Sequence, residues 1–251
     1  MPPDARDITT GQANRVWSVD ASTPYILKRY GDPARAANEA AALRLLATHS
    51  IPGPRLLAAG SRGRQAWTAQ TTVHAEPVPA DRFLDEIAEP LTAVHRISGT
   101  HIGRLAGAVR HHRWANYLHD RLHLYATAAP DLARAAQQLR RRVDAVELAN
   151  PPVLLHHDLQ PGHLLREARG PRCLIDWELA VFGDERSDLG RLAVRLDLED
   201  PTPVLAIGNQ LDPTTEGSLH LHWHIHLLAD AALGTDLAVR ERARAKLPTR
   251  W

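Results

Sequence analysis

Two aspartates in the second half of the chain lie where apolar runs end, a placement that suits chemistry at a cleft. Asp158 follows the run VLL in the segment HHDLQPGHLL, and Asp176 lies in LIDWE, 18 residues further on. That separation is long enough for a loop and a hairpin that returns the chain beside itself. Two carboxylates brought together in this way suit a divalent cation and a general base. Either aspartate alone is as well explained by the capping of a turn, so the prediction depends on the pair.

The basic residues are almost all arginine, and the two lysines therefore stand out. Lys28 and Lys246 are the only lysines among 30 basic side chains. Lys28 lies within the apolar, β-rich run YILKRY, and the segment ANEAAALRLL that follows carries Glu39. A lysine inside an apolar strand indicates a chemical role, with an edge-strand charge that favours solubility as the alternative.

Short strands and a single helix are predicted for the first part of the chain, and longer helices after about residue 80. Asp32 as N-cap and Pro33 in the first turn begin the early helix, which the Pro and Gly residues at 51–54 end. Its apolar positions on one face are Ala36, Ala40, Leu43 and Ala47. The later helices are predicted at 81–98, 112–127 and 131–148. Two strands, VLL and RCLIDW (172–177), precede or carry the aspartates.

These segments, in this order, resemble the aminoglycoside phosphotransferase family, which shares the protein-kinase-like fold. The family's catalytic loop H-G-D-x-x-x-x-N is followed by a strand ending in I-D-W-E or I-D-F/D, and then by G-D-P-x-x-D-L. The chain has HHD at 156–158, IDWE at 175–178 and GDERSDL at 183–189, with Lys28 and Glu39 upstream. The resemblance extends over nearly the whole chain.

The resemblance implies an α+β, bilobal protein-kinase-like fold, with a small β-rich N-terminal lobe and a larger, mainly helical C-terminal lobe. The predicted nucleotide-binding lobe covers residues 1–75, and the predicted catalytic and acceptor-binding lobe covers residues 76–251. The cleft between two such lobes is a common place for a ligand site.

The resemblance also implies a role for each of these side chains in phosphoryl transfer. Lys28 is expected to hold the α- and β-phosphates of a nucleoside triphosphate, with Glu39 orienting its ammonium group. Asp158 is expected to take the proton of the acceptor hydroxyl, and Asp176 to bind the Mg²⁺ that bridges the phosphates. Asp188 is expected to hydrogen-bond the backbone of the catalytic loop, with an ordinary helix cap as the alternative.

The segment expected to form the nucleotide loop is the part of the chain where the resemblance is weakest. The segment TTGQANRVW has one glycine, Gly11, where protein kinases have G-x-G-x-x-G. We expect Gly11 to belong to the cofactor site, because backbone N–H groups in such a loop can face phosphate. The expected cofactors are ATP or GTP together with Mg²⁺. His156 is expected to be buried beneath the catalytic loop, without a catalytic role.

His163 occupies the position where the family has a metal-binding asparagine, five residues after Asp158. Mg²⁺ prefers oxygen ligands, whereas an imidazole nitrogen suits softer metals. Three interpretations follow: His163 binds the metal and shifts the preference toward Mn²⁺, or it acts through water or phosphate while Asp176 holds the ion, or the protein is a pseudokinase. We expect an active enzyme, because Lys28, Glu39 and both aspartates are present.

Three further residues are candidates for contact with the acceptor. Glu178, beside Asp176, is expected either to supply an oxygen to the site or to be solvated. The run SLHLHWHIHLLADAAL (218–233) has a helical apolar period and is predicted to be a helix, with a strand-borne zinc site as the alternative. C-terminal helices line the acceptor pocket in the family, so Trp223 and Asp230 are expected to contact the acceptor. A core position is the alternative for Trp223.

The net charge and the composition limit the classes of binding partner that we expect. The net charge of +1 disfavours a dedicated nucleic-acid binder. No segment resembles a signal peptide or a membrane span, and the single Cys173 allows no intrachain disulfide, so we expect no membrane partner and a cytoplasmic location. Nine acidic against three basic side chains between Trp177 and Gly217 favour a cationic acceptor, with a solvated acidic surface as the alternative.

The sequence therefore predicts a small-molecule O-phosphotransferase. It is expected to move the γ-phosphoryl group of a nucleoside triphosphate to a hydroxyl of an antibiotic of aminoglycoside, peptide or nucleoside type, and so to give resistance. The alternatives are a metabolic kinase for a sugar, amino alcohol or amino acid, and a pseudokinase that binds nucleotide without turnover.

Overall fold

The computed structural model describes residues 4–9, 14–63, 65–145, 151–166, 170–207 and 215–248. These residues form the mixture of helices and antiparallel strands that is expected of an α+β protein. The helices are α1 (Pro33–Thr48), α2 (Phe83–His95), α3 (Trp114–Ala128), α4 (Ala133–Val143), α5 (Glu185–Arg195), α6 (Thr215–Leu233) and α7 (Leu237–Lys246). The strands are β1 (Ala5–Asp7), β2 (Asn14–Val19), β3 (Tyr25–Tyr30), β4 (Leu56–Arg62), β5 (Gln65–Thr71), β6 (Glu76–Pro77), β7 (Gly103–Arg104), β8 (Val153–Leu155), β9 (Leu164–Arg166), β10 (Arg172–Leu174) and β11 (Val181–Gly183).

The chain folds into two compact units, each assembled from separate stretches of sequence. Unit 1 comprises Met1–Val94, Arg104–Ala108 and Pro161–Ala180, and unit 2 comprises His95–Gly103, Val109–Gln160 and Val181–Trp251. Residues 161–180 thus belong to unit 1, although they follow the predicted lobe boundary at residue 75, which stays a prediction. The grouping places Asp176 in the same unit as Lys28.

The main sheet of unit 1 has five antiparallel strands in the order β1-β2-β3-β5-β4. Lys28 lies on β3, opposite Val16 of β2 and Thr68 of β5. Because β3 is a central strand and Lys28 is buried, the explanation of Lys28 as an edge-strand charge is wrong.

Helix α1 begins where its sequence signals predict. The Asp32 carboxylate accepts a hydrogen bond from the Ala34 N–H at 2.9 Å, and Pro33 is the first helical residue. The helix ends at Thr48, just before the Pro and Gly residues that were expected to end it. The side chains of the predicted apolar face that are buried are Ala36, Ala40 and Leu43. This packing fixes Glu39, which lies on the same buried side of the helix.

A short hairpin of unit 1 brings His163 next to Asp176. β9 and β10 pair antiparallel, with Leu164 opposite Leu174, and the Ile175 N–H donates to the His163 carbonyl at 3.0 Å. The predicted strand over 172–177 is shorter in the structure and ends at Leu174. Asp176 interrupts it, because its φ of 68° is left-handed and cannot continue an extended strand.

Unit 2 is mainly helical and carries the catalytic-loop candidate. β8 pairs antiparallel with β11 and ends three residues before Asp158. The predicted helices at 112–127 and 131–148 correspond to α3 and α4. The predicted helix at 81–98 corresponds to α2, which belongs to unit 1 except for its last residue, His95. The histidine run lies on α6, so the helix prediction is confirmed and the strand-borne zinc site is wrong. Among the described residues, no helix combines the length and apolarity that a membrane span requires.

Gly190 allows α5 to approach the backbone of α6, and we predict that a methyl group there destabilises unit 2. A Cβ at Gly190 would lie 2.8 Å from the backbone nitrogen of Trp223, whereas a Cβ at Gly217 of α6 would meet nothing within 4 Å. Gly190→Ala should lower the free energy of unfolding by roughly 1–3 kcal/mol through overpacking. Gly217→Ala, the matched control, should leave it unchanged or raise it by up to about 1 kcal/mol. Urea unfolding measures both, and equal stability of the two variants would contradict the close approach.

Candidate active site

One ammonium group lies among three carboxylates in unit 1. Lys28 Nζ is 2.9 Å from Glu39 Oε2, 2.5 Å from Asp176 Oδ1 and 3.3 Å from Glu178 Oε2. Lys28 is only 6% exposed. Burial alone would lower the pKa of Lys28, but Glu39, Asp176 and Glu178 more than offset that effect and raise the pKa well above its ordinary value. The group is therefore a permanent positive charge at the place where a phosphate-binding lysine was expected.

A second set of polar side chains fixes Glu39 itself. The Tyr30 hydroxyl donates to Glu39 Oε2, and Gln70 Nε2 donates to Oε1 at 3.1 Å. Thr68 Oγ1 hydrogen-bonds with both of these partners of Glu39, at 2.9 Å from the Tyr30 hydroxyl and 3.0 Å from Gln70 Nε2. Burial and the Glu39 charge raise the pKa of Tyr30, which keeps its hydroxyl a donor. Sequence reasoning missed this set, although polar Thr68 and Gln70 alternate on the buried face of a strand.

Asp176 presents a carboxylate that is 30% exposed, the most accessible of the three around Lys28. Its left-handed backbone is uncommon for a residue other than glycine, and such conformations concentrate at functional sites. Its second oxygen, Oδ2, lies 3.6 Å from His163 Nε2. The two predicted metal residues are therefore neighbours, and together they offer one oxygen and one nitrogen.

Carboxylate oxygens in this cluster fit the divalent cation that the fold implies. Oxygens of Glu39, Asp176 and Glu178 all lie within 4.8 Å of one another. Mg²⁺ takes oxygen ligands, so the carboxylates suit it, whereas the nitrogen of His163 is the one donor that departs from its preference.

Glu178 holds the start of β2 and the first turn of α1 through its carboxylate. Its carboxylate accepts from Asn14 Nδ2 and, at 2.8 Å, from Arg35 Nη1. The side chain is buried, so the alternative that Glu178 is solvated is wrong, while its contact with the acceptor stays a prediction. Gly11 lies outside the described residues.

The catalytic-loop candidate in unit 2 is held by Asp188. The N–H groups of His156 and His157 donate to Asp188 Oδ2 and Oδ1 at 2.9 and 2.7 Å, and the carboxylate is fully buried. The expected bond to the loop backbone is therefore confirmed, and the helix cap is Asp184 instead. His156 is also buried, as expected, and its Nδ1 accepts from the Asp158 N–H at 3.2 Å.

His157 takes the place of the glycine in the family's H-G-D motif. Its φ is 65°, a left-handed conformation that costs a residue with a side chain about 1–2 kcal/mol. Ser187 Oγ lies 2.9 Å from its Nε2, and its ring packs edge-on against His226 at 5.1 Å between centroids. These contacts hold a histidine where glycine would be unstrained. Sequence reasoning overlooked His157, although the departure from the motif was visible.

Arginines of α5 surround the proposed base. Arg195 donates to Asp158 Oδ1, and Arg191 pairs with Asp230 at 2.7 Å. Asp230 is thus engaged with arginine, and its contact with the acceptor stays a prediction. The Trp223 side chain is buried, which favours the core position that was its alternative.

A family model for the phosphotransferase enzyme family matches residues 4–221 of the chain. The chain belongs to this family. The expected enzyme class, a phosphotransferase, is therefore confirmed. The match covers Lys28, Asp158 and Asp176 and ends before Trp223, His226 and Asp230. No curated protein sequence matches the chain.

Solved structures of low sequence identity share the fold. The aminoglycoside phosphotransferase APH(4)-Ia is 17% identical with a TM-score of 0.73, over 98% of this chain and 93% of that one. A choline/ethanolamine kinase family protein from Mesorhizobium loti is 18% identical with a TM-score of 0.66, over 98% and 86%. Amicoumacin kinase hAmiN is 13% identical with a TM-score of 0.72, over 98% and 88%. The expected protein-kinase-like fold is confirmed by these similarities.

We predict that Asp188→Asn destabilises unit 2 in a pH-dependent way. Only one oxygen would remain to accept from two backbone N–H groups, which should lower the free energy of unfolding by roughly 1–3 kcal/mol at pH 7. Burial alone would raise the pKa of Asp188, but the hydrogen bond and charge of His95 lower it below its ordinary 3.8. The stabilisation by the wild-type carboxylate is therefore complete above that value and is lost as the pH falls through the lower, folded-state pKa.

Urea unfolding of wild type and variant at several pH values measures this difference. The gap between the two should shrink below about pH 4. The exposed Glu241 of α7, changed to Gln, is the control and should leave stability unchanged at every pH. A gap that stays constant down to acid pH would contradict the assigned role of the carboxylate.

Proposed function

We propose that the protein transfers the γ-phosphoryl group of ATP or GTP to a hydroxyl of a small molecule, with Asp158 as the general base. The observation that carries the proposal is the buried Lys28 ammonium, held at once by Glu39 and by the accessible Asp176. A lysine on a central strand, oriented by a helix glutamate, is the arrangement by which kinase-like enzymes hold nucleotide phosphates.

Each described side chain then has a defined task. Lys28 binds phosphate oxygens, and Glu39 keeps its ammonium in place. Asp158 accepts the proton of the acceptor hydroxyl as the new bond to phosphorus forms and the bond to the nucleoside diphosphate breaks. Asp176, with His163 beside it, would hold a divalent cation, which when bound offsets charge on the phosphates. Asp188 keeps the loop of Asp158 in a fixed shape.

An antibiotic is the first acceptor class to test, and resistance is the corresponding role. Three solved structures with this fold carry hygromycin B, one with ADP and two with AMP-PNP, and amicoumacin kinase hAmiN is in complex with AMP-PNP, Ca²⁺ and Ami. These similarities support a small-molecule acceptor with a hydroxyl group. We extend them to this chain as part of the proposal.

One observation favours a metabolic kinase as the second candidate. The acidic residues that suggested a cationic acceptor are largely paired within unit 2: Asp184 with Arg186, Asp188 with His95, and Asp197 with Lys246. Beside Asp158 lie two arginines instead. A site of this charge gives a polycationic acceptor no advantage, so sugars, amino alcohols and amino acids belong in the same screen.

A screen of antibiotics, sugars, amino alcohols and amino acids with labelled ATP and GTP tests the proposal. We expect transfer to at least one hydroxyl compound, and a loss of about 10²- to 10⁴-fold in Asp158→Asn. Asp120→Asn, an exposed carboxylate of α3, is the matched control and should retain full activity. Nucleotide binding without transfer to any acceptor would favour the pseudokinase, and undiminished transfer in Asp158→Asn would exclude Asp158 as the base.

The metal preference tests His163. If its nitrogen binds the cation, the ratio of the rate with Mn²⁺ to the rate with Mg²⁺ should fall in His163→Asn, because the amide oxygen suits Mg²⁺ better. His220→Asn on α6 provides the control and should leave the ratio as in the wild type. Identical ratios in wild type and His163→Asn would argue against direct coordination and for action through water or phosphate.

A further inference from the structure

Two arginines of α5 lie against the proposed base. Arg195 donates from Nε and Nη2 to Asp158 Oδ1, at 3.1 and 2.7 Å, and Arg191 Nη2 lies 3.7 Å from the same oxygen. Arg191 and Arg195 are four residues apart, so they project from one face of the helix. Both guanidinium groups therefore converge on one carboxylate oxygen.

Asp230 of α6 holds the two guanidinium groups from another side. Its Oδ1 accepts from Arg191 Nη1 at 2.7 Å, and its Oδ2 lies 3.6 Å from Arg195 Nη1. Asp158 and Asp230 are 72 residues apart in sequence and share the same pair of arginines. The four side chains form a connected cluster of two positive and two negative charges within unit 2.

Stability gives little reason for this cluster. Arg191 and Asp230 are both buried, and buried ion pairs are often no more stabilising than apolar residues of similar volume. Burial alone would lower the pKa of Arg191, but Asp230 and Asp158 raise it above its ordinary value, so the guanidinium stays charged. A requirement for a fixed carboxylate explains why charged groups occupy these positions.

We propose that Arg191, Arg195 and Asp230 are positioning residues that fix the orientation of Asp158. The inference rests on Asp158 being the base of the proposed function. A general base must lie within hydrogen-bond distance of the proton that it takes, and a displacement of about 1 Å can cost about 10²-fold in rate. A guanidinium that donates twice to one oxygen restricts rotation of the carboxylate, and Asp230 keeps the guanidinium groups in place.

Steady-state kinetics of Arg195→Ala and Arg195→Lys, with an acceptor found in the screen, test this directly. Arg195→Ala should lower kcat by about 10- to 100-fold and leave the KM for nucleotide within about two-fold of wild type. Arg195→Lys should be intermediate, because an ammonium is not a planar fork of donors. Added guanidinium ion should restore part of the kcat of Arg195→Ala. Arg242→Ala, an exposed arginine of α7 that pairs with the exposed Asp197, is the control and should retain kcat.

A double variant separates positioning from a merely structural role. Arg191→Met with Asp230→Leu replaces a buried ion pair by apolar side chains, and its melting temperature should be close to that of the wild type. Under the proposal its kcat lies about 10- to 100-fold below that of the wild type although the protein is equally stable, whereas a merely structural role predicts a wild-type kcat.

The outcomes distinguish this inference from the proposed function. Loss of transfer in Asp158→Asn with wild-type kcat in Arg195→Ala overturns the positioning role and leaves the proposed function intact. A wild-type kcat in the double variant likewise overturns the positioning role. Undiminished transfer in Asp158→Asn overturns the base assignment, and with it both proposals.

Discussion

The site depends on the burial of a single ammonium group among carboxylates. A buried lysine is unfavourable unless opposite charges compensate for the loss of hydration. The three carboxylates around Lys28 together carry more negative charge than Lys28 and Arg35 balance. The remaining negative charge suits a divalent cation, and the accessible carboxylate among the three is that of Asp176. β3 supplies Lys28, α1 supplies Glu39, and Asp176 follows the hairpin of β9 and β10. The packing of these elements must therefore bring one positive charge and its compensating carboxylates together.

Unit 2 holds the short loop at residues 156–158 in a strained backbone conformation. Asp188 accepts from two consecutive backbone N–H groups, and His157 adopts a left-handed conformation that only its contacts make tolerable. The same helix, α5, that supplies Asp188 in its first turn supplies the arginines in later turns. One helix thus fixes both the backbone of the loop, through Asp188, and the side chain of Asp158, through Arg195.

Local sequence signals predicted the residues that carry the chemistry, but not the residues that support them. Lys28, Glu39 and Asp176 were found because each lies in a short motif or an unusual local setting. Tyr30 was missed, because its contact with Glu39 depends on how α1 packs against the sheet, which no local pattern encodes. Asp230 was named for contact with the acceptor. Its pairing with Arg191 and Arg195 arises only from the packing of α5 against α6. Helix interiors were predicted well, while helix ends shifted by a few residues because terminal turns depend on tertiary contacts.

Calorimetric titration of nucleotide with its divalent cation into Lys28→Met and Lys246→Met tests the central claim most directly. The two variants remove the only two lysines of the chain. Both are ion-paired, but Lys246 pairs with Asp197 and Glu199 of unit 2, whereas the cluster around Lys28 belongs to unit 1. The account predicts that Lys28→Met loses about 10- to 100-fold in nucleotide affinity, while Lys246→Met binds as the wild type does. Wild-type affinity in a folded Lys28→Met protein would contradict the account.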